Sequence, residues 1–121
     1  MILEAAVATV TGGGAAPELA RALFVSGRTL QRRCARAELP PPRSLMALLR
    51  VVLAARYLDD PGRTVLSAAI AAGYASDTSL NRAFRREAMP SPSSLRRGAA
   101  LNRAVESFLE RVGLGSTCVA A

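Results

Sequence analysis

The chain has 121 residues, which suits one domain, and half of them are hydrophobic although only 4% are aromatic. A core built mainly from Ala, Leu and Val favours packed helices over a sheet, because Ala and Leu are strong helix formers. Sixteen basic residues against nine acidic ones give a net charge of +7, which favours a polyanion as partner. The sequence contains no Lys and no His, and the absence of His excludes His-based catalysis and zinc sites.

The first predicted helix covers residues 2–10, and the three glycines at 12–14 end it. Pro17 suits the first turn of a second helix, since the missing N–H of a proline is harmless there. This second helix is predicted to reach Leu23. The chain therefore begins with two short helices separated by a Gly-rich joint.

A third helix is predicted over residues 27–37, after a turn at Phe24 and Val25. Ser26 is placed to cap it, because its hydroxyl can accept from the unpaired backbone N–H groups of the first turn. The prolines at 40–42 stop the helix. Cys34 falls on its apolar side and is predicted to be a small core residue; the other cysteine, Cys118, forms no C-x-x-C pair with it.

The longest predicted helix covers residues 44–58, with apolar side chains around most of its circumference. A helix of this kind is buried between two packed units. Arg50 and Arg56 interrupt its apolar run, so that it is too short and too charged to span a membrane. The N-terminus lacks the basic region of a signal peptide, and the cytoplasm is the predicted location.

Four further helices are predicted after the turn at residues 59–62. The first covers residues 65–72, and Ser76 caps the second, which extends to about Ala88. A short helix containing Leu95 follows Pro90 and Pro92. Residues 101–112 then form an amphipathic helix, with an apolar face composed of Leu101, Val105, Phe108 and Val112.

The sequence thus predicts an all-α protein of about seven helices, in which two small helical units are joined by a long linker helix. Neither unit could bury a sufficient core alone. The predicted boundaries are 1–17 for the N-terminal helix and joint, 18–97 for the double unit (18–42, 43–60 and 61–97 for the first unit, linker and second unit), and 98–121 for the C-terminal helix and tail.

The segment that starts at Ser26 is repeated from Ser76, fifty residues later. The two twenty-residue segments align without a gap, and eight positions are identical, including Leu30 with Leu80 and Arg32 with Arg82. A repeat of this length is one supersecondary unit used twice. The helices that precede the two copies align with an offset of 49 residues, which predicts one extra residue in the second turn.

Each copy has an apolar and a polar side. Leu30 and Cys34, and in the second copy Leu80 and Phe84, are predicted to face inward. The outward side chains are of the types that pair with base edges, since Arg recognises guanine, Gln and Asn recognise adenine, and Thr contacts thymine. The arginines beside them suit phosphate contacts; these predicted phosphate-contacting residues are Arg33, Arg36, Arg85, Arg86, Arg96 and Arg97.

The basic residues are concentrated in the repeated region. Residues 18–97 hold 14 of the 16 arginines and 6 of the 9 acidic residues. A clustered basic region is what a nucleic-acid-binding surface requires. The alternative is a merely solubilising surface, for which mixed charges would serve as well.

The motifs of both copies point to one family. Residues 71–86 read A-A-G-Y-A-S-D-T-S-L-N-R-A-F-R-R, and Ser91-Pro92 follow them. Residues 19–33 contain L-A-x-x-L-x-V-S-x-R-T-L-Q-R-R, and a linker pattern extends from Pro42 to Leu58. The chain resembles the DNA-binding domain of the AraC/XylS family of bacterial transcription regulators over residues 18–97.

The resemblance implies two helix-turn-helix units that insert their recognition helices into adjacent major-groove segments of double-stranded promoter DNA. RNA polymerase is a further candidate partner, and the protein would be associated with the bacterial nucleoid when bound. The predicted base-reading residues are Arg28, Gln31 and Arg32 in the first unit and Asp77, Thr78, Asn81 and Arg82 in the second. Asp77 has two interpretations, a cytosine contact or a purely structural place at a helix N-terminus.

Several positions depart from the family pattern. Glycine is usual where Leu39 and Met89 stand, and its loss predicts two weakened left-handed helix ends. Cys34, Ala68 and Ala88 replace larger side chains and predict a looser core. These departures affect the expected stability more than the expected DNA contacts.

Two other classes of function are alternatives for this sequence. A protein-interaction module that keeps the fold without specific DNA binding would use the face of residues 101–112 to bind a partner helix. An enzyme lacks support, because the sequence shows no nucleophile–base pair, phosphate loop or clustered carboxylates, and no metal or cofactor is predicted.

No ligand pocket or small-molecule effector is predicted, and only seventeen residues precede the family-like region. Most AraC/XylS members carry a separate sensing or dimerisation domain. The chain is therefore expected to be a stand-alone regulator, a piece of a longer protein, or a small protein controlled by its abundance.

Overall fold

The computed structural model describes residues 2–95 and 100–112, and this part of the chain forms eight helices and no strand. The all-α prediction is confirmed, and each of the eight helices corresponds to a segment predicted to be helical. None of the described helices is long and apolar enough to cross a membrane. The helices are α1 (Ile2–Thr11), α2 (Ala16–Ala22), α3 (Gly27–Arg36), α4 (Pro42–Leu58), α5 (Val65–Ala71), α6 (Asp77–Arg86), α7 (Pro92–Leu95) and α8 (Ala100–Arg111).

The two predicted serine caps begin the two repeated helices. Ser26 Oγ accepts from the backbone N–H of Thr29 at 3.1 Å, and Ser76 Oγ accepts from that of Ser79 at 3.2 Å. Each bond satisfies one backbone donor that the helix itself leaves unpaired. The helix α4 instead begins at Pro42, two residues before the predicted start, since a proline lacks the N–H that would need a partner there.

Helices α3 and α6 end in a left-handed residue that is not glycine. Glu38 has φ +59° and Ala88 has φ +57°. The next amide closes the helix end in both cases, with the N–H of Leu39 donating to Cys34 O at 2.8 Å and that of Met89 to Phe84 O at 3.0 Å. This is the Schellman arrangement, in which glycine is the usual left-handed residue.

The predicted left-handed positions were therefore wrong by one residue. Met89 is buried and Leu39 packs against the core, so both are apolar anchors that follow the left-handed residue. Ala88 is exposed, so it does not replace a larger side chain in the core, whereas Ala68 is fully buried as expected. The missing glycines thus matter at Glu38 and Ala88.

Replacing Ala88 by Gly is expected to raise the free energy of unfolding by about 0.5–1 kcal/mol, because glycine has no Cβ to oppose the left-handed conformation. The matched control is Ala35→Gly inside α3, where the same change should lower stability by about 0.5–1 kcal/mol. Urea unfolding followed by circular dichroism would measure both. A loss of stability in both variants would contradict the assigned helix end.

Two hydrophobic cores lie along α4, one for each unit. Leu45, Met46 and Leu49 of α4 belong to the first core, together with side chains of α1, α2 and α3. The later apolar residues of α4, between Val51 and Leu58, belong to the second core with α5 and α6. The linker helix therefore contributes one half of its length to each unit.

The repeated helices close these cores as predicted. Leu30 and Cys34 are buried in the first core, and Leu80 and Phe84 are buried in the second. Ala37, the last residue of the predicted helix, is exposed because α3 ends at Arg36 and Ala37 is its C-cap. Burial also raises the pKa of the Cys34 thiol, which suits a packing role.

The helix α8 runs back along α4 from the second core to the first. Ala100 and Ala104 lie in the second core, and Val112 lies in the first. The predicted apolar face was only partly right, since Val105 is 37% exposed and the alanines face inward instead. Small side chains let α8 approach α4 closely, so the buried line follows Ala rather than the larger residues.

The start of α8 is capped by a residue from the end of α4. Asp59 Oδ1 accepts from the N–H of Ala100 at 3.0 Å, and Oδ2 accepts from that of Leu101 at 3.1 Å. A carboxylate at a helix N-terminus accepts from the unpaired N–H donors, and the helix dipole stabilises its negative charge. Asp59 thereby fastens α8 to the linker helix.

Replacing Asp59 by Ala is expected to lower the free energy of unfolding by about 1–2 kcal/mol, because two amides at the start of α8 lose their acceptor. The matched control is Glu106→Ala on the exposed side of α8, which should change stability by less than about 0.5 kcal/mol. Thermal and urea unfolding would measure the difference. Equal stabilities of the two variants would show that the cap is not formed.

Candidate nucleic-acid interface

The exposed side of α3 carries a continuous polar surface, here called the α3 face and composed of Arg28, Gln31 and Arg32. All three residues are exposed, and they lie within the first turns after the Ser26 cap. The opposite side of the helix is fixed by Leu30 and Cys34 in the first core. The fold therefore presents the three predicted base-reading residues of this unit together.

The α6 face is composed of Asp77, Thr78, Asn81 and Arg82, and all four are exposed. Leu80 and the other inward residues of α6 hold the helix against the second core. The repeated helices α3 and α6 begin fifty residues apart. The turn between α5 and α6 has five residues, whereas the turn between α2 and α3 has four. The extra residue predicted for the second turn is thus confirmed.

The predicted phosphate-contacting residues flank these faces wherever the structure describes them. Arg33 and Arg36 are exposed on α3, and Arg85 and Arg86 are exposed on α6. Arg96 and Arg97 lie outside the described residues. The basic side chains thus extend from each face toward the C-terminal end of its helix.

The charges on these two helices are not neutralised within the fold. In residues 2–95 and 100–112, the ion pairs involve Arg21, Arg63 and Arg111, and none involves an arginine of α3 or α6. The acid next to α6, Glu87, is bound instead by Arg111 at 3.1 Å. The guanidinium groups of α3 and α6 are therefore available to an external anion.

Arg50, which the sequence marks only as an interruption of an apolar helix, lies between the N-terminal joint and the second unit. Its Nη2 donates to Gly14 O at 3.2 Å, on the N-terminal side of the first unit. Its guanidinium also lies beside Gly73 in the turn of the second unit, where a Cβ would come within 3.8 Å of Nε. The signal in the sequence was an arginine at the middle of an otherwise apolar helix.

Tyr74 follows Gly73 in the same turn and packs against the second core. Burial raises its pKa to about 12, although the nearby Arg50 and Arg86 oppose the rise. The hydroxyl therefore stays neutral over the physiological range. Tyr74 acts as a packing residue behind the α6 face.

The first unit also contains a cavity that the sequence did not predict. Its volume is about 870 Å³, and it lies between α2, the start of α3 and the first half of α4. Gln31 of the α3 face lies on its wall.

A comparison with protein families matches residues 19–98 to a model described as a helix-turn-helix domain. The match includes α3, α4 and α6, whereas α1 and α8 lie outside it. Neither the curated proteins nor the solved structures provide a match. The matched region carries both caps, both exposed faces and the linker helix, and the chain belongs to the AraC/XylS family of helix-turn-helix DNA-binding domains.

Proposed function

We propose that the protein is a transcription regulator that binds double-stranded DNA in a sequence-specific way and reads two adjacent major-groove segments with α3 and α6. One observation carries the proposal: two identically capped helices, in the same register, expose base-pairing side chains beside arginines that form no ion pair among the described residues. A helix with such residues in its first turns fits the major groove. RNA polymerase remains a candidate partner of the bound protein.

The α3 face would recognise bases through three side chains. Arg28 and Arg32 can each donate two hydrogen bonds to O6 and N7 of guanine, and Gln31 can pair with adenine. In the α6 face, Arg82 and Asn81 have the same capacities, and Thr78 can contact the thymine methyl group. The two faces differ in composition, so they would recognise different sequences.

The flanking arginines would position the protein without adding specificity. Contacts from Arg33, Arg36, Arg85 and Arg86 to phosphates neutralise backbone charge and release counterions. Arg96 and Arg97 are proposed for the same role from their sequence alone. Affinity should therefore fall steeply as the salt concentration rises.

Asp77 keeps its two interpretations within this proposal. It stands exposed in the first turn of α6, where the helix dipole favours a carboxylate. The same position would let it accept from a cytosine amino group. An Asp77→Asn variant that binds a different base would support the cytosine contact.

The interaction-module alternative is not favoured. It required the apolar side of residues 101–112 to bind a partner helix, but α8 packs that side partly against α4 and both cores. Its exposed apolar residue, Val105, stands alone. A single exposed side chain is ordinary for a protein surface.

The proposal is tested by selecting DNA from a random duplex pool with the full chain at two salt concentrations. The expected result is one enriched site with two short conserved blocks about one turn of DNA apart. The logarithm of the affinity should fall linearly with the logarithm of the salt concentration. The double variant Arg32→Ala/Arg82→Ala should select no site, whereas Arg103→Ala on α8 should select the same site. Failure of the unaltered chain to enrich any sequence would refute the proposal.

A further inference from the structure

We propose that the cavity between α2, α3 and α4 binds a small organic anion with an apolar body, such as an aromatic or aliphatic carboxylate. The cavity volume of about 870 Å³ lies within the range of about 300–1,000 Å³ that is typical of small-molecule sites. This is a ligand site in addition to the proposed DNA interface.

The walls of the cavity are mainly apolar. Ala16, Val25 and Ala47 line it with accessible apolar surface, and Ala16 and Val25 pack against the first core. Because their positions are fixed by that core, the cavity is formed before any ligand arrives. An apolar ligand body would leave water on entering it, which is the main favourable term for such sites.

Three arginines and no acidic residue also line the cavity: Arg21, Arg43 and Arg50. Arg21 lies 3.8 Å from Glu18 in an exposed pair, and Arg50 donates one bond to Gly14 O. Arg43 forms no ion pair within the described residues. Guanidinium groups at an apolar cavity suit a carboxylate, which they can hold through paired hydrogen bonds.

An inorganic or DNA phosphate would account for the arginines but not for the walls. Such an anion is fully hydrated and gains nothing from contact with the apolar side chains of Ala16 and Val25. The combination of apolar walls with guanidinium groups favours an anion that has an apolar part. Its body would fill the cavity, and its charge would lie beside the arginines.

The site would affect DNA binding through Gln31. This side chain lies on the cavity wall and also belongs to the α3 face. A ligand that contacts Gln31 would change the side chain offered to DNA. Arg50 extends the effect, since it lies between the cavity and the turn at Gly73 of the second unit.

The test uses the full chain without DNA, so that its result does not depend on the proposed function. The probe is 1-anilinonaphthalene-8-sulfonate, whose fluorescence rises in an apolar site, and the matched neutral probe is N-phenyl-1-naphthylamine, which lacks the sulfonate. We expect the anionic probe to bind at least about fivefold more tightly, as the loss of one charge-assisted pair implies.

Three variants locate the probe. Arg43→Gln should weaken the anionic probe by about fivefold or more, and Ala47→Phe should reduce its binding by about tenfold or more, since Ala47 lines the cavity from an exposed position on α4. Arg103→Gln removes the same charge from α8, away from the cavity, and should change the Kd by less than about twofold.

The proposal is overturned if Arg43→Gln and Arg103→Gln weaken the probe equally, because that would show general attraction to a basic protein. It is also overturned if a folded Ala47→Phe variant binds the probe as well as the unaltered chain does. Circular dichroism would establish the folding of each variant. If Ala47→Phe does not fold, the comparison of the two arginine variants decides.

Discussion

Replacing Phe84 by Ala is expected to lower the free energy of unfolding by about 3–5 kcal/mol, a large share of the total stability of a domain of this size. Phe84 is fully buried in the second core and is the largest of the fully buried side chains. The same core contains Ala68, Ala69 and Ala83, whose short side chains cannot move into the space. Most of the volume of the ring would therefore remain as a cavity.

The equivalent position in the first unit provides the control. Cys34 is also fully buried, but Cys34→Ala removes one sulfur atom and should cost only about 1 kcal/mol. Guanidinium unfolding followed by circular dichroism would compare the two variants at equal protein concentration. Equal losses would mean that the second core does not depend on the aromatic ring.

Replacing Arg32 or Arg82 by Ala is expected to weaken binding to the selected DNA site by about 1–3 kcal/mol each, which corresponds to roughly 5- to 150-fold in Kd. Both arginines are exposed at equivalent positions of α3 and α6, and neither forms an ion pair in the described part of the chain. The loss of two hydrogen bonds to guanine should also relax specificity at one base pair in each segment. Gel-shift titration on the selected site and on single-base variants would measure both effects.

The control for this prediction is Arg36→Ala, at a proposed phosphate contact of the same helix. It should weaken binding about equally on selected and random duplexes and reduce the salt dependence by about one unit of slope. If Arg32→Ala behaves in the same way as Arg36→Ala on both kinds of DNA, then Arg32 does not read a base.

Local signals in the sequence were sufficient for the two repeated helices. Ser26 and Ser76 cap them by hydrogen bonds that span three residues, and such contacts depend only on nearby sequence. The inward positions of Leu30, Leu80 and Phe84 follow from helical periodicity, since the polar side of each helix is unambiguous. The candidate interface was therefore largely predictable at the level of exposed and buried side chains.

Features that depend on distant residues were not predictable. Asp59 caps a helix that begins 41 residues later in the sequence, and the sequence pattern indicated only a turn at that aspartate. The inward line of α8 follows Ala100 and Ala104 because α4 lies close to them, whereas periodicity favours the larger apolar residues. The left-handed helix end at Ala88 was placed one residue too late, at Met89, because no glycine marks it.

The division of α4 between the two cores has a consequence for how the protein unfolds. Leu49 belongs to the first core and Val51 to the second, so that neither core can come apart without exposing part of a helix that the other one needs. The two units should therefore unfold in a single two-state transition rather than one after the other. Backbone amides near Leu49 and Val51 should be the last to exchange with deuterium, because only global unfolding exposes them.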